Sequence, residues 1–107
     1  MKSLRSPNRR PMHPGAVLRE DVLPALKMTQ TELAERIGVS RLSVSDLIHE
    51  KRAMSPEMAV RIAMLLNTSA ESWLRMQEAV DLWTVRQDSD KLASVKPLNK
   101  SRLDLVA

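Results

Sequence analysis

The chain has 107 residues, of which 43% are hydrophobic and 28% charged. This leaves room for one domain with one core, and it excludes a disordered, collagenous or repeat-built chain. Seventeen Lys and Arg stand against thirteen Asp and Glu, a net charge of +4 that points towards polyanions without naming one. Cys is absent, which removes disulfides, thiolate chemistry and Cys-based metal sites and fits a cytoplasmic setting. The aromatics are Trp73 and Trp83 alone, and Gly occurs only at Gly15 and Gly38. A core of Leu, Ile, Val, Ala and Met with so few turn signals predicts an all-α fold. The basic N-terminus lacks an apolar signal core, and no apolar run approaches the ~18 residues of a membrane span. Neither secretion nor contact with a membrane is expected.

Residues 1–13 form an expected basic arm, because Lys2, Arg5, Arg9 and Arg10 lie among Ser3, Ser6, Pro7, Asn8 and Pro11 with no acid before Glu20. Such an arm is either a solvated tail or a contact for phosphates or a partner. A five-helix domain is expected over 14–90, followed by a tail over 91–107. Helix one spans Gly15 to Leu26, where Val17, Leu18, Val22, Leu23 and Leu26 recur at helical spacing and Pro24 predicts an early end or a kink. Thr29 and Glu32 form a capping box for helix two, which runs from Gln30 to Ile37. Gly38 then suits a left-handed C-cap, and Ser40 caps helix three as far as about His49. Ser55 and Pro56 open helix four, whose apolar face is Met58, Ala59, Ile62, Ala63, Leu65 and Leu66. Thr68 and Glu71 repeat the capping-box spacing and predict helix five through Trp73 to about Asp90. Beyond Lys91 the pattern is ambiguous.

Gln30 to His49 is the informative stretch. Ala34 is small where two helices must cross, Gly38 permits a tight turn, and Leu33, Ile37, Val39, Val44, Leu47 and Ile48 make one inner face. This combination resembles the helix-turn-helix of the phage-repressor type. In that motif the second helix enters the major groove of double-stranded DNA. Arg41, Leu42, Ser45 and Asp46 are left outward as candidate base readers. Arg41 can donate two hydrogen bonds to a guanine, and Leu42 can meet a thymine methyl. Asp46 either accepts from a cytosine amino group or pairs locally with Arg41 or Lys51. Gln30, Thr31, Ser43, Lys51 and Arg52 are candidate phosphate contacts.

From His13 to about Trp83 the chain resembles the HigA-type antitoxins. The matching stretches are His13-Pro14-Gly15, Leu18-Arg19-Glu20, Thr31-Glu32-Leu33-Ala34, Met58-Ala59-Val60-Arg61-Ile62-Ala63, Glu71-Ser72-Trp73-Leu74-Arg75-Met76-Gln77 and Asp81-Leu82-Trp83. The resemblance implies a homodimeric antitoxin that binds a palindromic operator in its own promoter and neutralises a HigB toxin, a RelE-like mRNA-cleaving ribonuclease. Some relatives regulate transcription with no toxin beside them. His49-Glu50 departs from the family, where an Asn-Gly turn often follows the recognition helix. Both ends of the chain are basic, so a disordered acidic tail is not expected to mask the toxin. A folded surface carrying Glu20 and Asp21, or the arm, is the expected toxin contact.

No enzymatic site emerges. Ser45 and His49 lie one turn apart on a single helix, Asp46 is poorly placed to orient the imidazole, and no oxyanion hole is supplied. His13 and His49 lack metal-ligand spacing, so neither a metal nor another cofactor is expected. Along helix five, Trp73, Met76, Val80 and Trp83 recur at spacings of three, four and three, either as a homodimer seam with Leu74 and Leu82 facing the chain's own core, or as core themselves.

Overall fold

The computed structural model describes residues 9–99. Its elements are α1 Pro14–Val17, a π-helical segment Leu18–Val22, α2 Leu23–Leu26, α3 Gln30–Ile37, α4 Arg41–Ile48, α5 Pro56–Leu66, α6 Ala70–Arg86 and α7 Ser89–Leu92. Among the described residues there is no strand, in agreement with the expected all-α class. The expected helix one is the continuous rod from α1 to α2. Pro24 neither ends nor breaks it. A proline lacks the N–H for its own turn and crowds the carbonyl four residues back, and the rod widens into a π turn just before it, with the Leu23 N–H bonded to the Leu18 carbonyl.

The other helix starts follow their hydroxyl caps. Thr29, Ser40 and Ser55 each accept a backbone N–H from three residues on, which satisfies donors that a helix N-terminus leaves orphaned. The Thr29 capping box is half of what was expected, because the Glu32 carboxylate pairs with Arg36 at 3.2 Å. Gly38 ends α3 in the left-handed region at φ 73°, and Asn67 ends α5 at φ 55°. Thr68 is not the cap of α6. Ser69 accepts the Ser72 N–H, while the Thr68 hydroxyl accepts the Trp73 indole N–H at 2.9 Å. The helix stops at Arg86 rather than Asp90, and Asp88 caps the further turn α7, a sixth helical unit beyond the expected five.

Leu18, Leu33, Val44, Leu47, Ile48 and Ile62 are the fully buried centre, where the rod, α3, α4 and α5 meet. Ala34 is buried at the α3–α4 crossing. The stripe expected as a dimer seam on α6 is corrected here. Trp73 and Val80 are each 4% exposed within the single chain, so they are core and have no surface left for a partner. Met76 and Trp83 are half-buried, and Leu82, expected to face inward, is 41% exposed. Core residues Trp73, Gln77 and Val80 fall at i, i+4 and i+7, while Leu82 and Val85 lie across the helix from them.

Candidate nucleic-acid interface

The recognition helix α4 is fixed from both ends and from behind. At its start, Ser40 Oγ accepts the Ser43 N–H at 3.1 Å. Val44, Leu47 and Ile48 fill the core. These anchors leave Arg41 exposed in the first turn, and Leu42 68% exposed beside it. Its apolar side chain is open to an apolar group of a partner. Ser45 and Asp46 are half-buried one turn further on. Arg52 Nη2 stands 3.9 Å from Asp46, which favours local pairing of Asp46 over base contact.

The expected phosphate contacts divide. Lys51 and Arg52 are exposed on the turn that leaves α4, and Thr31 is exposed and Gln30 half-buried in the first turn of α3. Ser43 is half-buried, and its hydroxyl already accepts from Ser40 Oγ at 2.8 Å. Glu20 and Asp21 are exposed on the π segment, with Glu20 paired to Arg19 at 3.1 Å.

A frame of polar contacts that periodicity did not reveal holds this surface in place. His13 caps α1 through Nδ1, which accepts the Gly15 N–H at 2.9 Å. The ring is 4% exposed. Burial pushes its pKa below the ordinary 6.5, helped by nearby Arg10 and opposed by Glu50, Asp81 and the Arg52 hydrogen bond. Gly15 lies so close to α4 that a Cβ would overlap the Leu47 carbonyl. Arg19 Nη1 donates to the Ile48 carbonyl at 2.6 Å and so caps the end of α4. Glu50 has φ 61°. Burial disfavours its charge, yet hydrogen bonds and charge from Arg10, with Arg19 and His13, carry its pKa below the usual 4.5.

Two further side chains brace the motif. Gln77 Oε1 on α6 accepts the Met54 N–H at 2.8 Å, while its amide donates to Asp81 at 2.9 Å. Arg61 on α5 donates to the Ile37 carbonyl at 2.7 Å and closes the end of α3. The signals for these roles were single letters: a His before a Pro at a helix start, and a Gln on an apolar stripe. Among the described residues no group of His, Cys, Asp and Glu could hold a metal, and no helix is long and apolar enough to cross a membrane.

Comparison with known proteins places this geometry in a family. The helix-turn-helix family model matches residues 18–73, which holds α3, α4 and α5. The uncharacterized HTH-type transcriptional regulator YbaQ of Escherichia coli K12 is 40% identical over 85 residues, covering 79% of this chain and 75% of that protein. Antitoxin HigA-1 of Vibrio cholerae is 38% identical over 96 residues, covering 89% of this chain and 90% of its own. The structure of Pseudomonas aeruginosa antitoxin HigA with the higBA promoter superposes with a TM-score of 0.79 at 32% identity, over 84% of this chain and 100% of that one. The chain therefore belongs to the helix-turn-helix family, in the branch that contains the HigA antitoxins.

Proposed function

We propose that the protein is a DNA-binding antitoxin that represses its own operon and neutralises a HigB/RelE-like mRNA-cleaving toxin. The observation that carries the DNA half is Arg41 and Leu42, exposed side by side on a helix whose backbone is capped and whose other face is locked in the core. Arg41 reads a guanine and Leu42 a thymine methyl, with Ser45 as an adaptable neighbour. Lys51 and Arg52 hold phosphates, assisted by Gln30 and Thr31. The likeness to a HigA crystallised with its promoter supports the same mode here.

The protein acts by binding, not catalysis. His49 Nδ1 lies 2.8 Å from the Ser45 carbonyl and the Asp46 carboxylate turns to Arg52, an arrangement without a triad. It works in the cytoplasm as a homodimer, paired through Leu82 and Val85 on the outer face of α6, which are 41% and 50% exposed. The toxin meets a folded surface at Glu20 and Asp21. A second reading, a regulator without a toxin, is in keeping with the likeness to YbaQ, which is named an uncharacterized HTH-type transcriptional regulator.

Footprinting on the protein's own promoter tests the first half, with one protected site per half of a palindrome as the expected result. Co-expression with the neighbouring reading frame tests the second. An antitoxin carrying Arg41→Ala should still co-purify with the toxin and block mRNA cleavage. Loss of toxin binding by that single change would place the toxin on the recognition helix instead.

A further inference from the structure

One side of α6 is left open in the single chain. Ser72, Arg75, Met76 and Ala79 recur at i, i+3, i+4 and i+7, so they share a face, and with Pro11 and Met12 they line a groove of about 450 Å³. Leu82 and Trp83 continue that face three and four residues beyond Ala79. The Trp83 indole N–H is buried without a hydrogen-bond partner among the described residues, although a buried indole ordinarily finds one. Arg75, exposed beside the groove, has no ion pair among the described residues.

The chain beyond α6 offers what this face lacks. The helix stops at Arg86, and Leu92, Val95 and Leu98 follow as exposed apolar side chains, Val95 at 64%. The Val95 N–H bonds to the Leu92 carbonyl at 3.0 Å, so the two belong to one turn. Asp88 and Asp90 stand just before it, opposite in charge to Arg75. Burying that turn against apolar side chains would be favourable, yet within its own chain the segment begins about 10 Å of helix beyond Ala79 and stays exposed.

Two-fold symmetry brings the two features together. In a dimer whose α6 helices lie antiparallel across Leu82 and Val85, a residue beyond the axis meets one equally far before it on the second copy. Asp88 then falls opposite Ala79, and Val95 opposite Ser72, so the segment spans the groove from end to end. We propose that this groove is the seat for the Asp88–Val95 segment of a second copy of this chain, with Leu92 and Val95 filling it and the acids of that segment pairing with Arg75. The exchange is reciprocal, and one dimer fills two such grooves. The inference rests on the reading of the outer face of α6 as the dimer contact.

The chain has no cysteine, so introduced thiols report proximity without interference. Full-length Ser72→Cys and Val95→Cys chains, mixed and allowed to exchange subunits, should be joined by a short bismaleimide into a covalent dimer with one chain of each kind. Either variant alone should give at least tenfold less, because like positions sit at opposite ends of the paired helices. Leu92→Ser combined with Val95→Ser should keep the helical circular dichroism, since both side chains are exposed in the single chain, and raise the dissociation constant in sedimentation equilibrium at least tenfold. A wild-type dimer that gives no mixed cross-link, a chain bearing both cysteines that links only to itself, or an unchanged dissociation constant in the serine variant would overturn the proposal and leave the contact of Leu82 and Val85 in place. A wild type that sediments as a monomer would remove the dimer reading as well.

Discussion

Gly15 carries more of this structure than its place in an amphipathic run suggests. A methyl there would overlap the Leu47 carbonyl of α4, so Gly15→Ala should lower stability by about 1–3 kcal/mol, as overpacking does. Chemical denaturation measures it, and an unchanged midpoint would mean that the rod and α4 do not touch there. His13 gives a pH signature. Its folded pKa lies below the ordinary 6.5, so below 6.5 the unfolded chain takes up a proton that the folded one resists. Its contribution is full above 6.5 and declines as pH falls towards the folded pKa. Glu50, also lowered, adds a second loss as pH falls below 4.5. His13→Asn keeps a capping acceptor without the titration and should flatten the first decline. If the decline near 6.5 is unaltered in that variant, another group causes it. Neither role was legible beforehand, because one depends on a helix approaching from thirty residues away and the other on burial.

At the scale of elements, the starts of α3, α4 and α5 and the stop of α3 were legible because each is set by a local cap: Thr29, Ser40 and Ser55 before, Gly38 after. The start of α6 was misplaced by one residue because Thr68 and Ser69 are adjacent hydroxyls with the same capping chemistry. The indole of Trp73, reached only after folding, takes Thr68 and leaves the cap to Ser69. The stripe of Trp73, Met76, Val80 and Trp83 was ambiguous for a similar reason. Helical spacing says that a face is covered but not by what, and α6 packs on α5 and α1. The proposed dimer face is therefore the opposite one. Leu82→Glu should leave the helical circular dichroism intact, yield a monomer in sedimentation and strongly weaken operator binding. A dimer that persists would remove Leu82 and Val85 from the interface, whereas Val80→Glu, aimed at the core, should unfold the chain.

On the scale of the whole molecule, the frame of Arg10, His13, Arg19, Gln77 and Arg61 serves to hold one short helix outward with its cations in register. Composition and charge were enough to read an all-α domain with a polyanionic partner. The proposed base-reading face follows from the sequence because a helix-turn-helix has few outward positions once its core is assigned. The proposed dimer face was not legible, since it depends on how α6 packs against distant segments. A fixed cationic surface also predicts a steep salt dependence of DNA binding, each neutralised phosphate adding about 0.9 to the slope. In the proposed division of labour, α4 reads sequence while the turn behind it only holds the backbone. Binding of the wild type, Arg41→Ala and Lys51→Ala to the promoter site, to single-base permutations of it and to random DNA across a salt series tests that most directly. Arg41→Ala should cost about 1–3 kcal/mol on the operator and flatten discrimination at one position. Lys51→Ala should weaken all sequences alike and lower the salt slope by about one. If the two variants weaken specific and random DNA equally, α4 does not read the bases through Arg41.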